Sequence, residues 1–196
     1  MNICQERKGS AASRAVPRLV PAATLGLVMT LPATAVAEPV LRPGLHGTFV
    51  EAEDVLAGGG RASFTGGYNL EYEPLLLIPE ASLAGGVYFG DATGYSFRAT
   101  AGFRFGFSYT FEPSLFLRGG YAHETLRLDV AGGEVIAGNN GGSIQTGLGA
   151  DFRLSREMTF GPALTYDAGL FDGGTGGGLF VVHTLSLGAT FAFWLQ

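Results

Sequence analysis

Tyr95-Ser96-Phe97-Arg98-Ala99-Thr100-Ala101-Gly102-Phe103-Arg104-Phe105-Gly106-Phe107-Ser108-Tyr109-Thr110-Phe111 is the stretch that decides the fold. Every odd position is aromatic or alanine. Every even position is small, polar or cationic. Successive side chains of a β-strand point to opposite faces, so the stretch reads as a strand with one apolar and one polar face.

The same period of two runs outward in both directions. Upstream, Phe64, Tyr68, Leu70 and Tyr72 alternate with Ser63, Thr65, Gly67, Asn69 and Glu71. Downstream, Ile144, Leu148, Ala150, Phe152 and Leu154 alternate with Ser143, Gln145, Gly147, Gly149, Asp151 and Arg153. Met158, Phe160, Leu164, Tyr166 and Leu170 repeat the split, as do Val181, Leu185, Leu187, Phe191 and Phe193. Weaker runs at 45–51, 83–89 and 115–127 bring the count to eight strands. An even number of antiparallel strands closes with both chain ends on one side. Closure removes the sheet edges that lipid does not tolerate. The expected fold class is therefore all-β: an eight-stranded antiparallel up-and-down transmembrane β-barrel.

The connections differ by side. Glu112-Pro113-Ser114 and Ser155-Arg156-Glu157 read as tight turns, whereas 54–60, 129–142 and 172–178 are glycine-rich and read as loops. Outer-membrane barrels carry short periplasmic turns and longer external loops, which orients the chain. Pro74-Leu75-Leu76-Leu77-Ile78-Pro79 falls on the short-turn side as an apolar connection. A turn at Pro113 places Phe111 opposite Leu115, Gly102 opposite Glu124 and Arg104 opposite Ala122. Arg104 and Glu124 then become diagonal neighbours on the inward face.

A soluble barrel also alternates, but with its apolar face inside and a heavily charged exterior. Here the polar face is mostly glycine, serine and threonine, a poor aqueous surface and a good filling for a narrow barrel. Aromatic residues collect near the strand ends, as expected where lipid meets water.

The first 37 residues have another character. Arg7, Lys8, Arg14 and Arg18 precede an apolar stretch from Leu19 to about Leu31, and Ala35 and Ala37 end the segment. A basic region, a short apolar region and an Ala-x-Ala end make a secretory signal peptide. The apolar run, bracketed by Pro21 and Pro32, is shorter than the ~20 residues that span a bilayer. The expected division is a cleaved leader at 1–37 and a barrel domain at 38–196.

Removing 37 of 196 residues leaves 159, with all 23 aromatic residues and 30 of the 32 glycines. Cys4 and Lys8 go with the leader, so the remainder has neither cysteine nor lysine. Its eight arginines against 16 carboxylates give a net charge near −8, which excludes a nucleic-acid footprint. Three scattered histidines without cysteine offer no metal-ligand spacing, and the glycines near 173–178 have no lysine to complete a phosphate loop. No cofactor and no metal is expected.

Ser186-Leu187-Gly188-Ala189-Thr190-Phe191-Ala192-Phe193 resembles the C-terminal assembly signal of bacterial outer-membrane proteins, with Ser186, Gly188, Phe191 and Phe193 at the matching positions. Trp194-Leu195-Gln196 extends beyond it, whereas that signal ends on or next to the aromatic residue. With its size and strand count, the segment after the leader resembles the small outer-membrane barrels of the OmpA-domain, OmpX and OmpW kind. The resemblance implies an integral outer-membrane location. It also implies outer-membrane lipid, lipopolysaccharide and the assembly machinery as partners, and a monomer.

Some barrels of this size act on lipid A, with a lipid-facing histidine and a serine two residues later. His183 is followed on its face by Leu185, His123 by Thr125 and His46 by Thr48, so that pair is missing. No catalytic residue is assigned. Glu71, Arg98, Arg104, Arg118, Glu124, Asp151, Arg153 and Asp167 all fall on the inward face. Sealed inside a narrow barrel they must pair, and a polar path for small solutes is the alternative. The sequence thus points to a non-enzymatic outer-membrane protein serving envelope structure or surface interaction. A narrow channel ranks second and a lipid A-modifying enzyme third.

Overall fold

The computed structural model describes residues 37–52, 55–72, 74–130, 133–172 and 179–195. All but the last residue of the expected leader lies outside them. Eight strands follow in chain order: β1 Ala37–Ala52, β2 Val55–Tyr72, β3 Leu75–Gly90, β4 Ala92–Phe107, β5 Phe111–Val130, β6 Gly133–Arg153, β7 Met158–Asp172 and β8 Leu179–Trp194. Each pairs antiparallel with the next, and β8 pairs with β1, which closes the barrel.

The register fixes the geometry. Ladder partners lead from Val40 through Gly67, Glu80, Gly102, Arg118, Gln145, Asp167 and Thr184 back to β1 at Val50. The circuit therefore climbs ten residues along β1, from Val40 to Val50. Eight strands with that stagger tilt by about 40° and leave room inside only for side chains. Every residue on this circuit faces inward.

The alternation read from the sequence governs which face each residue takes. Phe97, Phe103, Phe105, Leu148, Leu164, Leu187 and Phe193 are exposed on the outside, while Ser96, Arg98, Thr100, Arg104, Gln145, Thr165 and Ser186 are buried inside. The outside is an apolar belt of a kind that water does not stabilise.

The strands run longer than the sequence reading allowed, and three expectations are corrected. The glycine-rich stretches at 54–60 and 129–142 lie largely in β2 and β6. Gly58, Gly59 and Gly60 pair with Phe49, Thr48 and Gly47 on one side and with Phe89, Tyr88 and Val87 on the other. Ladder bonds on both flanks override the turn preference of glycine. The apolar stretch from Leu75 to Pro79 opens β3, with Ile78 fully buried. The turn between β4 and β5 lies at Ser108-Tyr109-Thr110, ahead of Pro113. Gly102 consequently pairs with Arg118 and Arg104 with Phe116, a register six residues away from the expected one. Three turn residues between Phe107 and Phe111 preserve the odd–even parity, so the alternation passes through the turn unmarked.

The prolines explain how this is possible. Pro39, Pro43, Pro79, Pro113 and Pro162 all lie in strands, where a missing N–H costs a ladder bond. Each sits where one neighbouring ladder ends or breaks. The β2–β3 ladder skips from Gly67↔Glu80 to Leu70↔Leu77, around Pro79. The β6–β7 ladder skips from Gly149↔Ala163 to Phe152↔Phe160, around Pro162. The β1–β8 ladder skips from Leu41↔Phe193 to Gly44↔Thr190, around Pro43. At the opposite end the β3–β4 hairpin turns at Gly90, whose φ of 132° disfavours a side chain.

Candidate functional site

The barrel interior concentrates the chain's polar chemistry. Five arginines (Arg42, Arg61, Arg98, Arg104 and Arg118) and five carboxylates (Glu80, Glu112, Glu124, Asp151 and Asp167) are buried there. The charges balance, and each sits beside an opposite charge. Arg98 holds Glu124 at 2.5 Å and Asp167 at 3.2 Å. Asp167 also accepts hydrogen bonds from Arg61 at 3.5 Å, Ser143 at 3.1 Å and Gln145 at 3.3 Å. Gln145 in turn accepts from Arg118 at 2.8 Å. Arg118 and Arg104 share Glu80, at 2.6 and 3.1 Å. One connected network thus runs from Glu124 to Arg104. Arg42 pairs with Asp151 beside it.

Pairing offsets the desolvation of each ion, and shared partners polarise one another. Phe116 adds to the packing: its ring lies 4.8 Å from the Arg104 guanidinium and 4.3 Å from that of Arg118. Gly147 makes this possible, because a Cβ there would stand 2.4 Å from the Phe116 ring. Beside them lies a cavity of about 30 Å³ lined by Arg42, His46, Arg61, Arg104, Phe116 and Arg118 among others. That is room for about two waters.

An apolar cluster packs toward each end of the lumen. At the hairpin-tip end Val50, Ala57, Tyr88, Ala122, Phe171 and Val182 pack together. At the turn end Val40, Leu76, Ile78, Ala192 and Trp194 do the same. Arg42, Arg61, Glu80, Arg98, Arg104, Arg118 and Asp167 lie between these two lids, whereas Glu124 reaches past Ala122 on β5 and Glu112 meets Arg153 at the turn-end mouth.

Of the inward charges named from sequence, Arg98, Arg104, Arg118, Glu124, Asp151 and Asp167 are buried in the lumen. Arg153 sits at the turn-end mouth, its side chain 38% exposed, and pairs with Glu112 at 2.5 Å. The side chain of Glu71 lies outside the described residues. Arg104 and Glu124 do not meet, which corrects the expected pair: the shifted register gives Glu124 to Arg98 and Arg104 to Glu80. Arg42, Arg61, Glu80 and Glu112 were missed. Carrying each strand's parity a few residues further would have placed all four inside.

At the chain end Ser186 is buried against Thr48, their hydroxyl oxygens 3.1 Å apart, and Gly188 lies opposite His46. Phe191 and Phe193 face outward, with Phe191 4.7 Å from the Phe160 ring. Trp194 continues β8 and turns into the lower lid. That packing gives Trp194 a place inside the barrel, while Leu195 is exposed. Among the described residues no set of His, Cys, Asp or Glu is arranged to hold a metal ion.

Neither a family model nor a curated protein matches the sequence. Solved structures do match the fold. Neisserial surface protein A superposes with a TM-score of 0.55 at 14% identity, over 80% of this chain and 97% of that one. Ail, the attachment invasion locus protein of Yersinia pestis, gives 0.54 at 18% identity, over 80% and 99%. Identities this low speak to architecture and leave subfamily open. The chain has the fold of the small eight-stranded bacterial outer-membrane β-barrels.

Proposed function

We propose that this chain is a non-enzymatic integral protein of a Gram-negative outer membrane. It is exported behind a leader cleaved after Ala37 and serves envelope structure or surface interaction as a monomer. The apolar belt supports the membrane reading. From Phe111 to His123 it spans thirteen residues of β5, a rise of about 30 Å when tilted as above, which matches a hydrocarbon core. Outer-membrane lipid, lipopolysaccharide and the assembly machinery are its partners in this reading.

One observation carries the non-channel reading: a lumen filled by paired, hydrogen-bonded ions with an apolar cluster packed toward each end. Purified barrel in planar bilayers should give no steady conductance. Reproducible single-channel steps from the wild-type protein would replace this reading with the narrow channel. Lipid A from cells that carry or lack the gene should have identical masses. A gene-dependent change in acylation would make the protein an enzyme.

A further inference from the structure

One polar cluster lies outside the lumen, on the lipid-facing side. Tyr121, His123 and Thr125 follow one another on the outer face of β5, beside Asn140 of β6 and Tyr95 of β4. His123 stands between Phe97 and Asn140 in the ladders, at the tip-end limit of the apolar belt. The Asn140 carbonyl Oδ1 accepts the Tyr121 hydroxyl at 2.6 Å and a ring N–H of His123, through Nδ1, at 2.8 Å. A carbonyl only accepts, so Nδ1 carries a proton. Nε2 lies 3.3 Å from the Thr125 hydroxyl. The Tyr95 ring leans against the imidazole with centroids 5.8 Å apart.

Two strands therefore hold four polar side chains in one arrangement before any ligand arrives. With Oδ1 occupied twice, the Asn140 amide is oriented so that its two N–H donors point away from Tyr121 and His123. The oxygens of Tyr121 and Thr125 keep lone pairs, and Tyr95, Tyr121 and Phe97 supply aromatic faces. Phosphate recognition calls for arginine or lysine in fixed geometry; the four side chains bonded here include neither, and Arg127 stands two residues beyond Thr125 along the same face. Ring faces beside paired donors and acceptors suit the hydroxyls and C–H faces of a sugar. At the lipid–water boundary the sugar within reach is one whose acyl chains already lie along the belt.

We propose that Tyr95, Tyr121, His123, Thr125 and Asn140 form a docking site for the sugar headgroup of an outer-leaflet glycolipid. This rests on the outer-membrane reading above and names the class of lipid the barrel selects. A second outward pair, Tyr166 and His183 on β7 and β8, has a single hydrogen bond of 2.6 Å and serves as the control.

The test uses the folded full-length barrel in mixed micelles with equal amounts of glucosyl diacylglycerol and phosphatidylglycerol bearing the same acyl chains. Lipids retained through purification are counted by mass spectrometry. Wild type should retain the glucosyl lipid at least about fivefold over the phosphatidyl lipid. Asn140→Ala and Tyr121→Phe should abolish that preference, and Tyr166→Phe should keep it. All three positions face outward, and folding is verified by the heat-dependent gel shift. Equal retention of both lipids, or a preference that survives Asn140→Ala, overturns the site. Competition by free glucose at micelle concentrations would assign the site to a soluble sugar and overturn the lipid. Release of fatty acid from the glucosyl lipid would make the cluster an active site and overturn docking. A barrel that folds in neither lipid would instead defeat the membrane reading.

Discussion

The midsection of the lumen and its two lids occupy the same narrow tube yet are built on opposite chemistry. The midsection holds a network of seven charges, Glu80, Glu124, Asp167, Arg61, Arg98, Arg104 and Arg118, with the pair Arg42 and Asp151 beside it; the lids hold valine, alanine, leucine, isoleucine, phenylalanine, tyrosine and tryptophan. A buried ion network gains little net stability over apolar packing, but losing one member is expensive because a partner stays charged and dry. An apolar lid loses only the contacts and volume removed. The difference teaches a division of labour. The midsection tolerates one alignment of the strands, whereas the lids close the tube whatever apolar groups fill them.

The largest effect is expected at Asp167, where Arg98, Arg61, Ser143 and Gln145 converge. Asp167→Asn keeps the shape and removes the charge that faces two guanidiniums. The barrel should lose about 3–5 kcal/mol in urea titrations of protein folded in lipid vesicles. A loss under about 1 kcal/mol would mean that interior water solvates these ions and that the contrast with the lids is false.

A second experiment sharpens the register. Double-mutant cycles should couple Arg98→Gln to Glu124→Gln by about 2–3 kcal/mol, since that pair lies at 2.5 Å. Arg104→Gln and Glu124→Gln, which stand at opposite ends of the network and share no partner, should couple by less than about 1 kcal/mol. The reverse pattern would restore a turn at Pro113.

The fold and the identity of the inward face were legible in the sequence because a period of two survives any choice of register. The pairing was not. A three-residue turn at 108–110 leaves parity intact, and Pro113 marks a ladder end rather than the turn itself. Strand lengths were hidden for a related reason. Glycine at 58–60 signals a loop in an isolated chain, yet in a closed barrel neighbours on both sides supply its bonds. Arg61 and Glu80 lay just past the drawn ends of strands and were lost with them. The lids were the least legible part. Ile78, Val182 and Trp194 come from different strands and meet only after closure.

The smallest effect is expected at the lower lid. Ile78 is fully buried with Leu76, Val40, Ala192 and Trp194, makes no ion pair of its own, and is the ladder neighbour of Arg104. Truncation to alanine removes three carbons of packing, and burial of that size is worth about 2–5 kcal/mol in a rigid core. Here the lid borders the open mouth of the barrel, and the Trp194 ring can settle into part of the space. We therefore expect Ile78→Ala to cost about 2 kcal/mol, the low end of that range. The midsection would remain intact, so the variant should still pass no current in planar bilayers. Conductance from Ile78→Ala alone would show that the lid, and not the ion network, is the seal. A loss as large as that of Asp167→Asn would erase the energetic distinction between the two regions.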